Sequence, residues 1–191
     1  HRTATQAVPG VGPLDAGLMI VGEQPGDQED LAGLPFVGPA GQLFDKVAQS
    51  AGLNRSVAFV TNAVKHFKFT PRGKRRLHQR PNSGEIEHCR WWLDAERALV
   101  KPKLILALGA TAAEALTGTG ANILRRRGTV EQLADGTPVL LAVHPSFLLR
   151  LPDPAERERQ MALFEADLRR AVEMIAALAT RPEVVAACEP R

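Results

Sequence analysis

The chain alternates short runs of consecutive apolar residues with stretches in which apolar positions recur every three or four residues. Leu18-Met19-Ile20-Val21, Val57-Ala58-Phe59-Val60-Thr61, Leu104-Ile105-Leu106-Ala107-Leu108 and Val139-Leu140-Leu141-Ala142-Val143 each suit one buried strand and are too short for a buried helix. Between them, Leu43, Phe44, Val47 and Ala51 share one face of a helix that opens near Ala40 and stops at Gly52. Ser83 can cap a second helix, with Ile86, Cys89 and Leu93 along one side. A third follows Gly109 through Leu116. A fourth runs from Pro154 to Leu178 and carries Phe164, Leu168, Val172 and Ile175 as its stripe. Strands alternating with helices predict an α/β fold with a central four-stranded parallel sheet flanked by helices. Residues 1–180 are expected to form a single domain and 181–191 a C-terminal tail. Ligands of such sheets bind at the carboxyl ends of the strands. The polar segments Glu23–Asp30, Asn62–His66, Gly109–Thr111 and His144–Arg150 all follow strands and should converge there.

One stretch breaks the alternation. Residues 64–81 hold Lys65, Lys68, Arg72, Lys74, Arg75, Arg76 and Arg80, no acid, and two histidines, His66 and His78. Gly73, Pro71 and Pro81 predict a loop rather than a helix or strand. Loops this long inside a compact domain are usually functional or disordered. The functional reading is a grip on a nucleic-acid backbone, with one histidine doing chemistry.

Composition narrows the setting. An apolar share of 45% with 24% charged residues describes a soluble globular chain of 191 residues. The net charge is only +3, so the basic stretch is a local device rather than part of a polycation. Cys89 and Cys188 are too few for a disulfide framework, which points to a reducing compartment and a cytoplasmic location. No apolar run is long enough to span a membrane as a helix. No G-x-x-x-x-G-K-[ST] signature is present, which argues against a nucleotide phosphotransferase.

Several residues carry candidate chemistry, each with a plainer alternative. Glu23, directly after the first strand, suits a general base or a stabiliser of positive charge, or else a loop carboxylate capping a helix. Asp27, Glu29 and Asp30 suit a divalent metal, solvent-facing loop positions or a brace for the basic stretch. Phe36 suits a stacking platform for a base or a core position. Asn62 offers an acceptor and two donors to a nucleobase edge, or simply makes a turn. His144 can donate to an oxygen gaining negative charge. The segment through Ser146, Leu148 and Arg150 combines an apolar tip with a basic end, which suits a wedge into a base stack or a core-facing leucine pair. His66 and Cys89 are possible metal ligands, but two residues make no site.

Together these segments resemble the uracil-DNA glycosylase superfamily. Residues 22–30 (Gly-Glu-Gln-Pro-Gly-Asp-Gln-Glu-Asp) and 33–38 (Gly-Leu-Pro-Phe-Val-Gly) look like its first motif region. Thr61-Asn62-Ala63-Val64-Lys65, Leu108-Gly109-Ala110-Thr111-Ala112 and His144-Pro145-Ser146 match later motifs in order, and the likeness covers roughly residues 5–175. The nearest branch is the iron–sulfur family 4. Glu23-Gln24 and Lys74-Arg75-Arg76-Leu77-His78 look like its UdgX variant, which becomes covalently attached to DNA.

The resemblance implies the three-layer sandwich of that superfamily and a role for each residue. Phe36 would stack on a flipped-out uracil, Asn62 would bond its pairing edge, and His144 would stabilise charge on uracil O2. His78 would replace water and bond to C1′, with Glu23 orienting it and removing its proton. Gln24, Asp27 and Asp30 would shape the pocket and hold the basic stretch. Lys74, Arg75, Arg76, Ser146, Leu148 and Arg150 would meet DNA. The implied partner is uracil-containing DNA, preferably single-stranded, bound by a monomer. The implied cofactor is a 4Fe-4S cluster with His66 and Cys89 as two ligands. The family's Cys-x-x-Cys is absent from this sequence, which opens on His1, so the other two ligands are expected upstream of it. Two alternatives remain open: a conventional multiple-turnover uracil-DNA glycosylase, and a non-catalytic single-stranded DNA-binding module. The second predicts steeply salt-dependent affinity that is indifferent to uracil.

Overall fold

A computed structural model describes residues 4–180. The tail expected at 181–191, with Cys188, lies outside the described residues. Four strands are runs of buried residues: β1 (Leu18–Gly22), β2 (Phe59–Asn62), β5 (Leu104–Leu108) and β7 (Pro138–Ala142). They pair in parallel in the order β2-β1-β5-β7. Strands covered on both faces need apolar residues at successive positions, which is why the runs are continuous. The expected four-stranded parallel sheet is therefore present. A fifth strand, β6 (Val130–Gln132), extends it as an antiparallel edge beside β7.

Two layers of helices sandwich the sheet. On one face α2 (Pro39–Ser50), α6 (Pro145–Leu149) and α7 (Pro154–Ala179) bury Phe44, Val47, Leu148, Phe164 and Leu168 against Ile20, Leu106 and Leu140. On the other, α3 (Ser83–Val100) and α4 (Ala110–Thr117) bury Ile86, Leu93, Ala112 and Ala113 against Met19, Val21, Ile105 and Leu141. Short helices α1 (Asp27–Ala32) and α5 (Ile123–Arg126) complete the set. The cap of α3 is Asn82 rather than Ser83: its side chain accepts from Glu85 N while Glu85 Oε2 accepts from Asn82 N, a reciprocal capping box.

The basic stretch is not a loop throughout. It contains an antiparallel hairpin of β3 (Phe69–Arg72) and β4 (Arg75–His78), turning at Gly73 with φ +59°. Pro71 and the run of charges hide these strands from pattern reading. The hairpin stays regular because tertiary contacts hold it. Two strands alone are marginal in water.

Candidate active site

The sheet order reverses between β1 and β5, and the residues that follow the strands meet in a cavity of about 630 Å³ at that crevice. Glu23 enters from the end of β1, Asn62 is the last residue of β2, and His144 follows β7. Phe36 comes from the turn before α2, and His78 from the last position of the hairpin.

Phe36 forms one wall in the left-handed region, with φ +58°. A bulky residue there is strained and needs support. Arg55 supplies it, donating to Phe36 O at 3.2 Å and Pro35 O at 3.0 Å while its Nη1 binds Asp45 at 2.8 Å. Its guanidinium carbon lies 5.8 Å from the Phe36 ring centroid. Asn62 is buried, yet its carboxamide makes no hydrogen bond within the described residues, leaving both ends for a ligand. The Asn62 backbone carbonyl is held by the buried Lys65 ammonium at 2.7 Å, which also binds Thr61 Oγ1 at 2.6 Å and Glu96 Oε2 at 2.7 Å.

His144 Nδ1 accepts from Ser146 N at 3.2 Å and lies 2.8 Å from Ser146 Oγ. Burial pushes its pKa down to about 4, with Arg150 and His78 acting in the same direction against Glu23. The imidazole is therefore neutral near pH 7. With Nδ1 used as an acceptor, Nε2 carries the proton and donates.

Glu23 joins two elements. Oε1 lies 3.0 Å from His78 Nε2, and Oε2 accepts from Thr111 Oγ1 at 3.0 Å. Burial acts to raise its carboxyl. The His78 hydrogen bond, the proximity of both histidines and the Thr111 hydroxyl outweigh it and hold the group below its ordinary value.

Gln24 lines the cavity, and its carboxamide is engaged by the hairpin. Its Nε2 donates to Lys68 O and Gln79 O, both at 3.1 Å, and its Oε1 accepts from Lys68 N at 3.2 Å, so it clips both feet of the hairpin. Arg76, expected at DNA, is also a brace: it pairs with Asp27 and the fully buried Asp30 and packs over Phe67 and Phe69. Asp27 and Asp30 thus brace the hairpin. Glu29, also considered for a metal, accepts from Gly26 N and Gly38 N and ties two turns together. Lys74 and Arg75 are exposed at the tip, joined by Arg72 and, at the cavity rim, Arg80. Leu148 is not a wedge: it is fully buried, and Leu149 takes the exposed position beside Arg150. Adjacent residues on a helix point about 100° apart, so only one of the pair can face the core.

Removing the Arg76 guanidinium leaves Asp30 buried without its cation, at a cost of about 3 kcal/mol. Arg76→Ala is expected to raise amide exchange across Phe69–His78, and unchanged exchange would show the hairpin held by other means. Burial acts to raise the Asp30 carboxyl, but its bonds to Thr5 and Arg76 hold it below the ordinary value. The stability it contributes is complete above the unfolded value and is lost as pH falls through the depressed one.

His66 and Cys89 both line a second cavity of about 610 Å³ on the other side of Gln24. Among the described residues, no group of three His, Cys, Asp or Glu is placed to hold a metal. Two candidate ligands are fewer than the four a 4Fe-4S cluster takes, so His66 and Cys89 do not hold one by themselves. No helix of the described residues is long and apolar enough to cross a membrane.

Sequence reasoning missed Arg55, Thr111 as a partner of Glu23, and the Lys65–Glu96 pair. Thr111 had a visible signal, since it lies in a segment expected to converge on the site. Arg55 and Glu96 had none.

The model of the "Uracil DNA glycosylase superfamily" matches residues 9–169. The type-4 uracil-DNA glycosylase of Pyrobaculum aerophilum is 37% identical over 178 residues, covering 86% of this chain and 84% of that protein. Those of Thermotoga maritima and Archaeoglobus fulgidus are 36% and 33% identical, covering 78% and 91% of this chain and 75% and 84% of theirs. By the match across most of its length, the chain belongs to the uracil DNA glycosylase superfamily.

Proposed function

We propose that this protein excises uracil from DNA and then captures the abasic sugar through His78. The contact of His78 Nε2 with Glu23 Oε1, inside the cavity that also holds Phe36, Asn62 and His144, carries the reading. A uracil flipped from the stack rests on the Phe36 ring, and the unoccupied Asn62 carboxamide meets its pairing edge. As the C1′–N1 bond breaks, its electron pair passes to uracil N1 and spreads onto O2, where the neutral His144 donates its Nε2 proton as a hydrogen bond. The sugar is left as an oxocarbenium ion. The imidazole lone pair of His78 bonds to C1′, and the proton it then sheds passes to the Glu23 carboxylate. Because the histidine stays bonded, the outcome is one turnover. Arg80 at the cavity rim and Arg72, Lys74 and Arg75 at the exposed hairpin tip meet the phosphates. Single-stranded substrate is favoured because its uracil leaves no pairing partner behind.

The test is a denaturing gel after incubation with single-stranded and double-stranded DNA bearing one uracil. The wild-type protein is expected to give an SDS-resistant shifted band, more of it on single strands, and His78→Ala to give none. A band that survives in His78→Ala, or uracil release by wild type with no band, overturns the capture step.

A further inference from the structure

Thr111 lies outside the set that touches the base, yet it is fully buried and its hydroxyl has Glu23 Oε2 as its hydrogen-bond partner at 3.0 Å. The contact spans the place where the sheet order reverses, joining the residue after β1 to the second residue of α4. Helix α4 is itself tightly placed. Its cap, Gly109, has φ +91°, and a Cβ there would lie 2.8 Å from His144 Cβ. Thr111 thus reaches Glu23 from a fixed support, and its branched side chain has few rotamers to wander among. Glu23 by contrast ends in a carboxylate whose last torsion is broad.

We propose that Thr111 is a positioning residue for the reaction: its hydroxyl fixes the rotation of the Glu23 carboxylate so that the other oxygen faces His78. The inference rests on the reading that Glu23 and His78 act at the sugar carbon. A carboxylate that accepts a hydrogen bond at each oxygen is also favoured as the anion, the form able to take a proton. The charged and titratable groups around it are His78 from the hairpin, His144 ahead of α6, Arg150 beyond α6, Asp27 and Glu29 on α1, and Arg80 after the hairpin.

Thr111→Val keeps the shape and removes the hydroxyl, and Thr111→Ser keeps the hydroxyl and removes a methyl. Single-turnover uracil release and the SDS-resistant band are measured across pH for both and for wild type. Thr111→Val is expected to slow both by about tenfold or more, in the range of a misdirected general base. Its acid limb moves to higher pH, because Glu23 loses a bond that favoured its ionised form. Thr111→Ser is expected to keep the wild-type profile. A role in packing alone predicts the reverse order, with serine no better than valine and the acid limb unmoved, and that result overturns the inference. If wild type releases uracil without forming a band, the capture reading fails while the pH comparison on uracil release, with Glu23 serving water, still decides the role of Thr111.

Discussion

Glu96→Ala is expected to be strongly destabilising, costing about 3–5 kcal/mol. The Lys65 side chain is only 3% exposed, and Glu96 Oε2, at 2.7 Å, is the counterion of its ammonium. Burial alone would push the Lys65 pKa down; Glu96 opposes that. The same carboxylate accepts from Thr61 Oγ1 at 2.8 Å and, through Oε1, from Gly10 N at 2.9 Å. One alanine therefore strands a buried charge and frees two donors. For a domain of this size the loss corresponds to a fall in Tm of roughly 6–20 °C. The double change Lys65→Met with Glu96→Leu removes both charges and is expected to recover most of it. Thermal unfolding that moves by less than about 2 °C in Glu96→Ala would show that the pair does not hold the end of β2.

Gly22→Ala is expected to leave the protein folded and to remove most of the activity. Gly22 closes β1, and its backbone is not in the left-handed region, so only space is at issue. A Cβ there would collide with Asn62 Oδ1 and lie 2.8 Å from the Phe36 ring. These are the two surfaces proposed to read and stack the base. Overpacking typically costs about 1–3 kcal/mol. A displacement of the order of 1 Å at the reacting centre costs roughly 100-fold in rate. Uracil release at wild-type rate, with melting intact, would mean that the walls move aside freely and do not define the pocket.

The parallel sheet was legible because strands covered on both faces must be apolar at each position, and Met19-Ile20-Val21 or Leu104-Ile105-Leu106 have no other common use. β6 was not, since Val130-Glu131-Gln132 is an edge with one apolar residue. The hairpin was hidden by Pro71 and its charges; what makes it regular is Arg76 reaching Asp30, a partner 46 residues away. The site followed the same division. Glu23, Asn62 and His144 stand where polar residues interrupt buried strands, and the fold brings them together. Arg55 and Glu96 act through the shape of a turn and a buried cation, which leave no mark on local pattern. The Leu148–Leu149 pair could not be oriented in advance, because a five-residue helix is too short to establish a face.

The neck of the hairpin has one more consequence. Gln79 N donates to Lys68 O at 2.9 Å, so the excursion that carries His78 leaves and rejoins the body at a single point. Phe36, Asn62 and His144 are supported entirely from elsewhere. The nitrogen proposed to bond to the sugar thus rides on a hairpin tied at its neck, while three other walls of the cavity stand on separate elements. Such an arrangement lends itself to grafting: transplanting the hairpin together with its two fasteners, Gln24 and the Asp27–Asp30 pair, moves a bond-forming group between related scaffolds without redrawing the sheet.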